Sequence, residues 1–146
     1  MPAPTRDPKP CGAFARLQHR ALELHDSKVL SVVADGAAVR ILLDAYVHVS
    51  TGKPGRDAGT GWSQEVALVV AFGTVHEPHD GALWILDGEA TLDGVPAGLL
   101  PLPLAVEGAV GLTLAGAEGR LRVSGRGLTV VEQGEPVFVE KVPATD

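Results

Sequence analysis

Residues Val29–Val49 read VLSVVADGAAVRILLDAYVHV, and this stretch decides the fold. From Val39 onward, Val39, Ile41, Leu43, Ala45, Val47 and Val49 fall on one side of an alternation, with Arg40, Leu42, Asp44, Tyr46 and His48 on the other. A period of two fits an extended strand with one face on a core, and no helix can use it. The preceding arm sets Leu30 and Val32 against Ser31 and Val33, and Asp35-Gly36 between the arms supplies the positive backbone φ of a two-residue type I′ hairpin turn. The expectation is a complete antiparallel hairpin.

Outward from the hairpin the same signals repeat. Gln64 to Val75 alternates Val66, Leu68, Val70 and Phe72 with Glu65, Ala67, Val69 and Ala71, and apolar residues on both sides suggest a central strand covered on both faces. A strand containing Leu83–Leu86 follows, then Asp-Gly turns at Asp87-Gly88 and Asp93-Gly94 with at most a short strand, or one continued past a bulge, between them. Leu99–Leu104, LLPLPL, is apolar but carries Pro101 and Pro103, which cannot donate ladder hydrogen bonds, so it reads as an edge strand or an extended bridge. Gly111–Ala115, Arg120–Ser124, Leu128–Glu132 and Val137–Val142 then alternate with glycine-rich turns. Strands at that spacing define a mainly β fold, an antiparallel β-sandwich or flattened β-barrel of about eight to nine strands. Phe14, Leu17, Ala21 and Leu24 recur at helical spacing, so one N-terminal helix is expected over residues 13–24, packed on the sheets. Residues 1–12 are expected to form a flexible tail, 13–142 a single domain, and 143–146 a C-terminal tail.

With 146 residues, one core is expected. Aromatics are only 4% of the chain, so that core must rest on Val, Leu, Ile and Ala. A net charge of −6 opposes binding to nucleic acid or an anionic membrane surface, and both are excluded as expected partners. Cys11 stands alone, so no disulfide can form within the chain, and the first ten residues lack the apolar run of a signal peptide. The expected location is cytoplasmic.

Candidate chemistry lies in the histidines. His76, Glu77, His79 and Asp80 sit within five positions, and two imidazoles with carboxylates suit zinc, nickel or ferrous iron, with His48 as a further ligand if the fold brings it near. The plain alternative is a solvated turn made by Pro78 and Gly81. His25-Asp26-Ser27 contains the residue types of a hydrolase triad, but sequence neighbours do not face one another as catalysis requires; hydrogen bonding to nearby backbone groups is the expected role. No nucleophile elbow and no phosphate-binding glycine loop is present. The segment Ser50–Trp62, with four glycines and a proline, is the longest stretch without periodicity before the C-terminal tail. Loops on a rigid β-scaffold commonly carry recognition, and Tyr46, Trp62 and Arg56 are the expected partner-binding residues, with Trp62 as a plug at the end of the core the plain alternative.

Leu24-His25-Asp26-Ser27 between an expected helix and a β-hairpin resembles the N-terminal pattern of several small, poorly characterised bacterial β-rich families, some of them immunity proteins of toxin systems. The resemblance ends near Val49 and carries no residue roles. The sequence therefore points to a non-enzymatic binding or interaction domain with a protein or small-molecule ligand, no obligatory cofactor and no catalytic residues. The alternatives are a divalent-metal protein or metal-dependent enzyme built on the His76–Asp80 turn, and a self-assembling protein whose copies pair through the Leu99–Leu104 edge.

Overall fold

The computed structural model describes residues 18–145 as two antiparallel sheets packed face to face, with no closed barrel and no helix among the described residues. The larger sheet is built on β1 (His19–Ala34), β2 (Ala38–Ser50) and β3 (Gly59–Ala71), each running in one piece along its length. β5 (Leu83–Trp84) and β8 (Leu99–Leu102) flank β1, while β12 (Leu128–Glu132) and β13 (Val137–Val142) pair with different halves of β3, and β9 (Ala105–Val106) lies outside β12. The smaller sheet has the order β4 (Thr74–Glu77), β11 (Gly119–Gly125), β10 (Val110–Gly116), β6 (Asp87–Leu92), β7 (Val95–Ala97).

The hairpin read from Val29–Val49 is present, and Val39, Ile41, Leu43, Ala45 and Val47 are buried against the second sheet. Its turn sits one residue later than expected. Asp35 N–H donates to Ala38 O, Gly36 alone takes positive φ (91°), and the Asp35 carboxylate accepts from the Ala37 and Ala38 amides. One positive φ at the first turn position fits type II′ rather than I′. The type I′ geometry occurs instead at Asp93-Gly94 (φ 49° and 83°), which joins β6 to β7 through the Leu92–Val95 pair.

The expected helix is corrected over its described part: His19–Leu24 is strand, opening β1, and residues 13–17 lie outside the described residues. The spacing of Ala21 and Leu24 suits a helix, yet Ala21, Leu22 and Leu24 are all buried, because β2 and β8 cover the strand on both edges and long-range pairing overrides local periodicity. Phe72 is a second correction. It lies just beyond β3 with φ 51°, which turns its ring out of the core face to 76% exposure. Among the described residues strand pieces number thirteen, above the expected eight to nine, because short bridges such as β5, β7 and β9 close the sandwich sides.

The core cluster joins Leu22, Leu24 and Leu100 of the first sheet to Leu112, Leu114, Leu121 and Val123 of the second. At one end it is closed by a polar strap. Arg20 donates two hydrogen bonds to the Glu132 carboxylate (2.8 and 2.9 Å), and Gln64, 5% exposed, donates to the same carboxylate and to Gly134 O. No helix among the described residues is long and apolar enough to cross a membrane.

Candidate functional site

The site is made by a defect in β1. Glu23 pairs with Tyr46 and Lys28 with Asp44, so five steps along β1 match two along β2, and three extra residues bulge out of the ladder. Asp26 takes φ 75°, a left-handed conformation that Asp tolerates better than most side chains. Ser27 is fully buried and replaces the lost ladder bonds: its hydroxyl donates to Glu23 O (2.6 Å) and accepts from Tyr46 N–H (3.0 Å). Leu24 N–H to Gly98 O, Asp26 N–H to Ile85 O and Ile85 N–H to Ser27 O tie the bulge to the crossing segments.

This bulge brings together side chains on the sheet face that points away from the core. His48, 9% exposed, sets Nε2 2.6 Å from Glu23 Oε1, and His25 Nδ1 lies 3.2 Å from Glu23 Oε2 and 3.4 Å from Asp26 Oδ2. The Tyr46 ring meets the His48 ring edge-on (centroids 4.9 Å) and its hydroxyl donates to Glu140 of β13 at 2.6 Å. Tyr46 can lie across the sheet only because Gly61 is beneath it; a Cβ there would fall on the phenol oxygen. Among the described residues, Glu23, His25 and Asp26 are the group of three that sets possible metal-ligand atoms within 4.8 Å of one another.

The electrostatics separate the two carboxyls. Burial pushes Glu23 upward and is the largest single influence, but hydrogen bonds from His48, His25 and Asp26 together outweigh it and hold Glu23 below the ordinary carboxylate range. Asp26 is raised, by burial first and by its hydrogen bond to Glu23 second, with the charges of Glu23 and Glu140 adding to the effect. The Tyr46 hydroxyl is raised by burial and by its bond to Glu140.

One cleft borders the cluster, and a second shares Leu99 with it. The first, of about 530 Å³, is lined by Glu23, His25, Ala97, Gly98 and Leu99. The other, also about 530 Å³, lies beyond Leu99 among Ala21, Gly52, Lys53, Pro54 and Pro101. The Thr51–Ala58 loop forms the wall of the second, and it is internally braced: Ser50 Oγ donates to Ala58 O, Asp57 accepts from Lys53 N–H, and Gly55 lies against Leu99.

The residues expected from sequence are dispersed. Tyr46 belongs to the cluster, whereas Trp62 lies on the opposite sheet face, packed edge-on against Phe138 (5.5 Å), with Nε1–H donating to Thr60. Arg56 sits on the loop, its backbone carbonyl accepting from Thr145 N–H. Of the His76–Asp80 residues, His76 turns to Ser124 Oγ (2.5 Å) and Glu77 to Arg120 (2.9 Å), both partners on the smaller sheet, while His79 points toward Ala82 O (3.3 Å) in the following loop. His48 is directed to Glu23, away from that group. Sequence reading missed Glu23 and Glu140 altogether. Glu23 stood among expected helix positions, and Glu140 reaches Tyr46 only through the β3–β13 pairing. No protein-family model matches the chain, nor does any curated protein or solved structure.

Proposed function

We propose that the chain is a non-enzymatic binding domain whose ligand seat is the outer-face cluster at the β1 bulge, and that its ligand presents a cationic group there. One observation carries this reading: the Glu23 and Asp26 carboxylates converge beside an open cleft, and among the described residues the basic side chains within 4.0 Å of them are histidines, not Lys or Arg. Carboxylates gathered in a partly desolvated place favour an incoming positive charge, and the chain's net charge of −6 draws cations toward the surface. A binding role fits better than catalysis because the Ser27 hydroxyl is buried and occupied by two backbone groups, which leaves His25 and Asp26 without a nucleophile beside them.

Thermal melts of wild type and Glu23→Gln with argininamide, and with the uncharged citrullinamide as control, test the reading. A probe at about a hundred times its dissociation constant adds roughly 2.7 kcal/mol, a shift of several degrees in a domain of this size. The expected result is stabilisation of wild type by argininamide alone, lost in Glu23→Gln. Equal response to both probes, or none to argininamide or to any divalent cation, would overturn it.

A further inference from the structure

The geometry points to a divalent transition ion, zinc or manganese, as the cation of this seat, bound by Glu23 Oε2, His25 Nδ1 and Asp26 as three ligands on one side of the ion. This rests on the seat proposed above and names its occupant. The spacing supports it first. Bonds of about 2.1 Å place neighbouring ligand atoms about 3.0 Å apart in an octahedron and about 3.4 Å apart in a tetrahedron. The His25 nitrogen lies 3.2 Å from Glu23 and 3.4 Å from Asp26, inside that window. The donor set supports it second: one imidazole with two carboxylates lies between the nitrogen-rich sets of nickel and copper and the all-oxygen sets of magnesium and calcium.

The surroundings supply what such a site needs beyond its three ligands. His48, nine-tenths buried, holds the other oxygen of Glu23 at 2.6 Å, so the ligating carboxylate is oriented from behind by a group that does not compete for the ion. His25 and Asp26 are each 55% exposed along their side chains, and His25 lines the cleft with Glu23, which leaves the remaining positions of the ion to water or to a partner's ligand. Binding requires no bond making beyond coordination, and any proton carried by a ligating atom leaves to solvent as the ion enters.

The test is titration calorimetry of the full chain, freed of metal with EDTA, against zinc chloride and manganese chloride, on wild type, His25→Gln, Asp26→Asn and His79→Ala. Both site substitutions are at exposed side chains, and Asn keeps the left-handed tolerance that position 26 needs. The expected result is one ion per chain, an affinity at least tenfold weaker in His25→Gln and in Asp26→Asn, and no change in His79→Ala. Binding that survives both site substitutions but falls in His79→Ala would move the ion to the His76–Asp80 turn and overturn the inference. No binding of either ion, with argininamide still stabilising the wild type, would overturn the ion and leave the seat standing. No response to either would overturn both.

Discussion

Ser27→Ala removes one oxygen atom from a fully buried position, and the structure fixes what that removal strands. The hydroxyl serves the Glu23 carbonyl and the Tyr46 amide, the last pair of the β1–β2 ladder before the bulge. Without it, one donor and one acceptor lose this partner at a fully buried position. A buried polar group left unsatisfied costs about 1–3 kcal/mol, so two of them, with partial relaxation of the bulge, cost about 2–4 kcal/mol. For a domain of this size that is a fall in melting temperature of roughly 6–16 °C. Calorimetric melts of wild type, Ser27→Ala and Ser31→Ala measure it, since Ser31 lies exposed on the same strand and should stay within about 0.5 kcal/mol of wild type. A Ser27→Ala loss no larger than that of Ser31→Ala would refute the claim that this hydroxyl closes the bulge.

Three further outcomes follow from the same geometry. Gly61→Ala should displace the ring of Tyr46, the chain's one tyrosine, so its alkaline absorbance titration, raised above the ordinary phenol value in wild type, should move back toward about 10; an unchanged curve would contradict the packing described. Asp26→Ala should cost about 1–2 kcal/mol for its left-handed backbone, whereas Asp26→Asn should be neutral or stabilising at pH 7; because the folded Asp26 pKa is raised, its charged form is disfavoured, and the advantage of Asn should fade as pH falls below the ordinary aspartate value of 3.8, which urea melts across pH would show. Glu132 is held below its ordinary value of 4.5, by the Arg20 hydrogen bonds first, so its contribution is present above pH 4.5 and lost as pH falls through the depressed value. Arg20→Ala should therefore cost about 1 kcal/mol at neutral pH, a modest figure because the pair is about a third exposed, and nothing in strong acid; a loss independent of pH would remove the ion pair from the account.

The strand pattern was legible wherever one face meets the core, because alternation survives there in the residues themselves: Val39 through Val47, Val66 through Val70, and Leu112 with Leu114 all lie where the period of two puts them. It failed at the start of β1, where Ala21 and Leu24 satisfy a helical spacing and only the pairing with β2 and β8 makes them strand. The site was legible in part. His25, Asp26, Ser27, Tyr46 and His48 stood out as polar residues beside apolar strands, and the expected backbone-bonding role of Ser27 is the one it has. Their assembly could not be read, because it depends on a three-residue bulge that shifts register between Glu23 and Lys28, and on Gly61, whose missing side chain lets Tyr46 reach a strand ninety-four residues away in sequence. The spacing at His76–Asp80 drew attention for its density of ligand-type residues, yet a short strand with alternating faces separates neighbours that a tight turn would have gathered.

The measurement that bears most directly on the seat is an amide NMR map of isotope-labelled chain titrated with argininamide and, separately, with zinc. The account predicts that both probes shift the amides of Glu23–Ser27, Tyr46–His48 and Ala97–Leu99, and that Glu23→Gln abolishes the argininamide response. Shifts confined to the Thr74–Asp80 edge of the smaller sheet, or to the Trp62–Phe138 face, would place recognition elsewhere and contradict it.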